Sequence, residues 1–287
     1  MGEGKSMKKL QTLAIILILA NAFASGAVSL KLKGGLAFLP MAEYNDGLKG
    51  GYDYLAKTLG SPSGDFRSMQ LGADFGGEIL LSLGGGLSLG LGAGYLRMTR
   101  ESTFGYEWTV FAAQETLTPQ VTVIPLVLNL HRVVPLGDSL RLDLYAGAGY
   151  YLADLHQEFR TSTNFFEFSE SQTFQARGGA FGGQGGIALE FLLGNHAAFF
   201  VQAEGRYAAL GDVHGDTTEQ GSWFLGDWTG GQGKAYLWAY SLTDAGTTYP
   251  QIAVSLFPPA GTGITNVRKA RIDLSGVSLA AGIKIEF

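Results

Sequence analysis

Four histidines, twenty lysines and arginines and twenty-five aspartates and glutamates carry the acid–base and ionic chemistry of this 287-residue chain, which has no cysteine. The lack of cysteine excludes disulfides, thiol nucleophiles and Cys-ligated metal centres. His156 has Asp154 and Glu158 close by and Ser162 further on, and His214 lies in Asp212-x-His214-x-Asp216. A hydrolytic site needs a nucleophile or activated water beside a positioned base. Neither spacing matches a motif with such a mechanism, and a hydrated loop histidine is the ordinary alternative. Carboxylates flanking an imidazole could hold a cation loosely, but one triplet is not a metal motif. No phosphate loop, zinc motif or nucleophile elbow occurs. The expectation is a non-enzyme with no metal and no cofactor, with a surface enzyme acting on lipid or peptide as the distant alternative.

A second set of charged residues has a more regular spacing. Lys31, Lys33, Asp74, Glu78, Arg141, Asp143, Glu190, Glu204, Arg206, Lys284 and Glu286 mostly stand between apolar neighbours. In an extended strand, successive side chains point to opposite faces. Each of these charges therefore shares a strand with an apolar row on the other face. Both signs occur in similar numbers, and buried charges must be paired or hydrated. The set reads as an internal network of ion pairs, with a polar pore lining as the alternative.

Eight segments provide the strands that must position these charges. Val28, Leu30, Leu32, Leu36 and Phe38 share one parity; Met69, Leu71, Phe75, Ile79 and Leu81 share another; Leu87, Leu89, Leu91 and Tyr95 follow. Ile124–Leu130, Leu140–Tyr150, Phe181–Leu193, Phe199–Tyr207 and Val277–Phe287 continue the pattern. A soluble β-sandwich also alternates, but its strands run to about 5–6 residues. These segments mostly exceed the ~9–11 residues of a tilted membrane strand. The connections alternate short and long. Gly84–Gly86, Pro135–Asp138 and Gly194–His196 fit tight turns. Long loops are expected over 40–66, 102–116, 156–175 and 211–269. The reading is all-β: a transmembrane antiparallel up-and-down β-barrel of eight strands, with short periplasmic turns and long extracellular loops. An eight-stranded interior is just wide enough to be filled by side chains. Inward glycines such as Gly72, Gly90 and Gly147 let strands curve or leave a narrow cavity.

The N-terminus adds a compartment. Lys5, Lys8 and Lys9 precede the apolar run Leu10–Ala20, followed by Ala20-Asn21-Ala22 and Ala22-Phe23-Ala24. This is the layout of a secretory signal peptide over 1–24, with Met7 as a possible start and an uncleaved helix as the alternative. It leaves 25–287 as one domain. Charged residues make up only 16% of the chain, against about 25% in soluble proteins. The net charge of −5 makes nucleic acid a poor partner.

All four tryptophans, Trp108, Trp223, Trp228 and Trp238, fall in the expected loops. The 211–269 loop also carries Tyr236 and Tyr240. Such aromatic density argues for a folded loop, with a hairpin from Lys234–Leu242 and Gln251–Phe257. Trp223, Trp228, Tyr236, Trp238 and Tyr240 are either a cap on the barrel mouth or a binding surface for an extracellular ligand. If both hairpin segments crossed the membrane, the strand count would be ten, but Pro250 interrupts the second.

The stretch IPLVLNLHRVVPLGDSLRLDLYAGAGYYL (Ile124–Leu152) resembles the central hairpin of small outer-membrane barrels of the OmpA, OmpX and OmpW type. The ending GVSLAAGIKIEF (Gly276–Phe287) resembles their closing strand. The resemblance implies that Leu279, Ile283, Ile285 and Phe287 form the signal read by the barrel-assembly machinery. It implies outer-membrane lipid as the surroundings and, for the OmpW type, a narrow channel for small or hydrophobic solutes. A fold of this kind hosts unrelated tasks, so the first expectation for function is a structural or surface-interaction barrel.

Overall fold

A computed structural model describes residues 28–60, 62–107, 112–164, 168–224 and 226–287. The proposed leader over 1–24 and Trp108 lie outside the described residues. The described chain forms one antiparallel sheet system of fourteen strands and one helix, α1 (Ala42–Leu59). No helix among the described residues is long and apolar enough to cross a membrane.

Eight strands pair in a cycle. They are β1 (Val28–Phe38), β2 (Leu71–Gly84), β3 (Leu87–Thr99), β5 (Ala112–Pro135), β6 (Leu140–Thr163), β7 (Ser169–Leu192), β8 (Ala197–Leu210) and β14 (Gly276–Glu286). Each pairs with the next, and β14 pairs with both β8 and β1. The register puts outward apolar residues opposite one another: Leu32 opposite Ile283, Ile79 opposite Leu91, Leu91 opposite Leu128, Leu189 opposite Val201. A shift by one residue would turn all of these inward. The tight turn at Gly84–Gly86 works because all three glycines have positive φ, a region that side chains disfavour.

The sheet also departs from the expected strand plan. β5, β6 and β7 each run for 24 residues. The segments 102–116 and 156–175 are therefore largely strand, including β4 (Ser102–Glu107), which pairs with β5. The 211–269 region is sheet as well: β9 (His214–Trp223), β10 (Gly226–Asp244), β11 (Thr247–Ser255) and β12 (Ile264–Lys269). β9 continues the sheet from β7, and β10 pairs with β9, β11 and β12. β10 and β11 form a hairpin, but with other bounds than expected: Asp244 is opposite Thr247, and Pro250 lies within β11 opposite Ser241 instead of interrupting it. The two strands join the sheet through β9, beyond the eight-strand cycle. β13 (Ile272–Asp273) pairs with β8.

Helix α1 replaces part of the expected 40–66 loop. Its glycines hide it from propensity rules, but they are what its packing needs. A Cβ on Gly50 would lie 1.8 Å from the Pro250 carbonyl oxygen, and one on Gly47 would lie 2.7 Å from Ile252. The helix thus covers β11, the last strand on its side of the sheet, as edge strands require. On its other side Tyr52 meets Phe104 of β4 edge-on at 5.2 Å, and Ser63 bridges Gly105. α1 and the chain after it therefore span from β11 to β4.

The main apolar cluster lies inside, towards the α1 end of the ring. It joins Leu96, Met98, Val123, Tyr151 and Ala208 of the ring to Leu39, Met41, Tyr44 and Met69. Met69, expected on the outward row, is buried here because β2 begins only at Leu71. Asn45 locks the entry to the helix by donating to the Pro40 and Met69 carbonyls and accepting from the Met69 N–H.

Candidate functional site: the interior of the strand ring

Below the apolar cluster the ring interior is ionic. Nearest the tight turns, Arg141 pairs with Glu286 at 2.8 Å, and Lys284 pairs with Glu190 at 3.1 Å and Glu286 at 3.3 Å. Further in, Lys31 reaches Asp143 at 2.8 Å, and Asp143 also faces His131 at 3.0 Å. The other ring nitrogen of His131 lies 3.1 Å from Glu78, which accepts from Asn129 at 2.8 Å. The His131 ring stacks on Tyr145 at 5.1 Å. Above these, Glu204 collects Lys33, Arg206 and the Tyr145 hydroxyl at 2.9 Å each, and Arg206 also meets Asp74 at 3.3 Å. Ten of the eleven charged residues singled out by parity thus face a Lys, Arg, Asp or Glu of opposite sign, and Glu78 faces His131 and Asn129.

The strands make this possible. Inward positions on neighbouring strands fall side by side, so that Lys31 lies between Glu78 and Lys284 in register, and Arg141 opposite Glu190. Gly90 and Gly147 are inward where larger residues need room. A Cβ on Gly90 would lie 2.1 Å from Glu78 Oε1, and one on Gly147 would lie 2.2 Å from Asn129 Oδ1. The glycines therefore admit the large neighbours.

The space left over is small. A cavity of about 40 Å³ is lined in part by Lys33, Asp74, Gln184 and Arg206. One water needs roughly 10–15 Å³ by this measure, so the cavity has room for a few waters and none for a solute. Arg206 Nε and Nη1 are buried without a hydrogen-bond partner. The apolar cluster lies above this cavity and the ion pairs lie below it.

The chain matches no protein-family model and none of the curated proteins. Among solved structures it is similar to the crystal structure of a major outer membrane protein from Thermus thermophilus. Sequence identity is 11%, the match covers 91% of this chain and 100% of that one, and the TM-score is 0.38. A likeness this distant carries no weight for function.

His131, Asn129, Tyr145, Gln184 and Gln202 belong to the network beside the eleven charges. Their signal was parity: Asn129 and His131 alternate with Leu128 and Leu130. The other candidates scatter. Asp212 pairs with Lys269, Asp216 pairs with Lys234 at 2.7 Å, and His214 Nδ1 faces the Asp212 carbonyl at 2.8 Å. The Asp-x-His-x-Asp triplet therefore does not converge on a common point. His156 faces outward on β6, beside Gln175 and Gln120 in register.

The five aromatics do not form one surface. Trp223 packs on Phe224 at the end of β9, and Trp228 lies over Gly221. Tyr236, Trp238 and Tyr240 stand together further along β10, with Lys269 4.4 Å from the Tyr236 ring centre. The alternate residues Ala235, Leu237 and Ala239 enter the core instead. The aliphatic side chains of β10, rather than its aromatics, pack against the interior. Leu279, Ile283, Ile285 and Phe287 are all exposed on the outer face of the closing strand.

Proposed function

We propose that this chain is an outer-membrane β-barrel whose eight ring strands cross the bilayer, with a plugged interior and a structural or surface-interaction role. The observation that carries this reading is the outer face of the ring. Large apolar side chains are exposed on all eight strands, among them Leu36, Phe75, Leu91, Leu128, Leu152, Phe181, Val201 and Leu279. A water-exposed face of that extent would aggregate, whereas lipid requires it. Phe181 and Phe191 stand ten positions apart on β7 and bound the belt there. At ~3.3 Å per residue and a tilt near ~40°, that separation is about 25 Å, the height of the apolar band of such barrels.

In this reading the tight turns face the periplasm, and α1 with the outer sheet stands outside the cell. The leader over 1–24 and the closing strand serve export and the barrel-assembly machinery. The ion network and the apolar cluster close the lumen. Planar-bilayer conductance of the refolded, leader-free chain is the test: silence is expected, and steady wide conductance would overturn the plug.

A second reading, a narrow route for small apolar solutes, is favoured by one feature. β7 pairs with β9 up to Ala176 and with β8 from Gly182. Beside this break lies a pocket of about 250 Å³ lined by Leu155, Ala176, Leu210, Val213 and Ile272. Uptake of a small hydrocarbon by vesicles containing the protein, reduced by Ala176→Trp, would support it.

A further inference from the structure

We propose that the outer face of the sheet beyond the membrane belt is a docking surface for the oligosaccharide of neighbouring outer-leaflet glycolipids. This rests on the membrane reading above.

The outward positions of β5, β6 and β7 change character at one level. Leu126, Tyr150 and Phe181 are in register and apolar; two rows further out, Thr122, Asp154 and Arg177 are in register and polar. Beyond that row every outward position is polar on five adjacent strands: 114–122 on β5, 154–162 on β6, 169–177 on β7, 216–222 on β9 and 227–234 on β10. The pairing lines them up in straight rows. One row is Thr118, Glu158, Thr173 and Thr218; another is Gln114, Ser162, Ser169 and Ser222. Rows repeat about every 6.6 Å along the strands and strands about every 4.8 Å across them. The array rises roughly 20 Å above the belt at a tilt near ~40°.

Three properties select the partner. First, every cation of the wall is paired: Arg177 with Asp154 at 2.8 Å, Arg160 with Glu158 at 2.6 Å and Lys234 with Asp216 at 2.7 Å, which leaves Asp227 as the one extra charge. Such a surface has no free cationic patch for phosphate and no apolar anchor for a protein hot spot. Second, hydroxyls and amides both donate and accept, which matches the hydroxyls of a sugar. Third, β5, β6 and β7 run without a break from the belt into the wall. A glycolipid whose acyl chains lie on Leu126 and Phe181 therefore places its sugars against this face.

The test uses the full leader-free chain reconstituted in vesicles. One set contains a glycolipid with its complete oligosaccharide, and another the same lipid trimmed of its outer sugars. Thermal unfolding is compared with that of the variant Thr118→Val/Thr173→Val/Thr218→Val, which keeps shape and strand preference but removes one row of hydroxyls. The complete glycolipid should raise the unfolding midpoint by about 3 °C or more over the trimmed lipid, and the variant should lose most of that rise while matching wild type in the trimmed lipid. An equal rise in the variant, or no difference between the lipids, overturns the docking surface. Failure of wild type to insert into either vesicle overturns the membrane reading itself.

Discussion

His131 and Asp143 meet as a diagonal pair across β5 and β6, with Nδ1 3.0 Å from Oδ1, deep inside the ring. Lys31 reaches the same carboxylate from β1 at 2.8 Å. Three strands that are not all neighbours in the sheet are thereby tied through one side chain.

That geometry makes Asp143 a sensitive position. Asp143→Asn leaves Lys31 buried without its counter-ion. Removing one partner of a buried pair costs about 3–5 kcal/mol. Urea unfolding of vesicle-inserted protein should show a loss of that size. A loss within error of zero would mean that water already solvates Lys31.

Arg206 bridges Glu204 and Asp74 above the small cavity. Arg206→Ala should lower the thermal midpoint and widen the cavity towards Lys33. Paired with Lys33→Ala, it should raise the frequency of brief conductance steps in a planar bilayer. Unchanged stability and unchanged silence together would remove Arg206 from the plug.

Helix α1 sits against β11 only because Gly50 lacks a side chain. Gly50→Ala would drive a Cβ into the Pro250 carbonyl, and overpacking of this kind costs about 1–3 kcal/mol. The expected result is faster proteolysis within 42–59 while the ring strands stay protected. Equal cleavage rates would show that the helix tolerates displacement.

Glu115 lies on the inner face of β5, nine positions beyond Ile124, with Oε2 buried and unpartnered. Burial holds its carboxyl above the ordinary range. A raised folded value means that the folded chain binds this proton more tightly than the unfolded chain does. Its contribution is therefore favourable below the unfolded value near ~4.3 and declines as pH rises through the folded value. Glu115→Gln should be more stable than wild type at neutral pH, with the difference shrinking on acidification. Urea midpoints that run parallel with pH in the two proteins would contradict this.

Phe287 closes the outer row of β14. Its deletion should lower the amount of protein inserted in cells with little effect on the unfolding of what does insert. Normal insertion would show that Leu279, Ile283 and Ile285 do not need it as an assembly signal.

Much of this molecule is written in local periodicity. The alternation of Leu30, Lys31, Leu32 and Lys33 assigns each side chain a face, because successive residues in a strand must point opposite ways. The same rule assigns the eleven charges to the inner face and, carried one residue past Leu130, puts His131 beside them. The glycines at 84–86 marked their turn for an equally local reason. The outer halves of β5, β6 and β7 were hidden from the same rule. Their outward rows are polar, and their inner rows mix Leu117 and Phe174 with Glu115 and Gln172, so no contrast of period two survives. Helix α1 was hidden because its glycines answer to β11 and not to helix preference. Which cation meets which carboxylate was decided by ring closure alone: Lys31 and Asp143 are 112 residues apart, and Arg206 and Asp74 are 132. Face is a property of a residue and its neighbours, whereas partnership depends on the closed ring that brings distant strands around one interior.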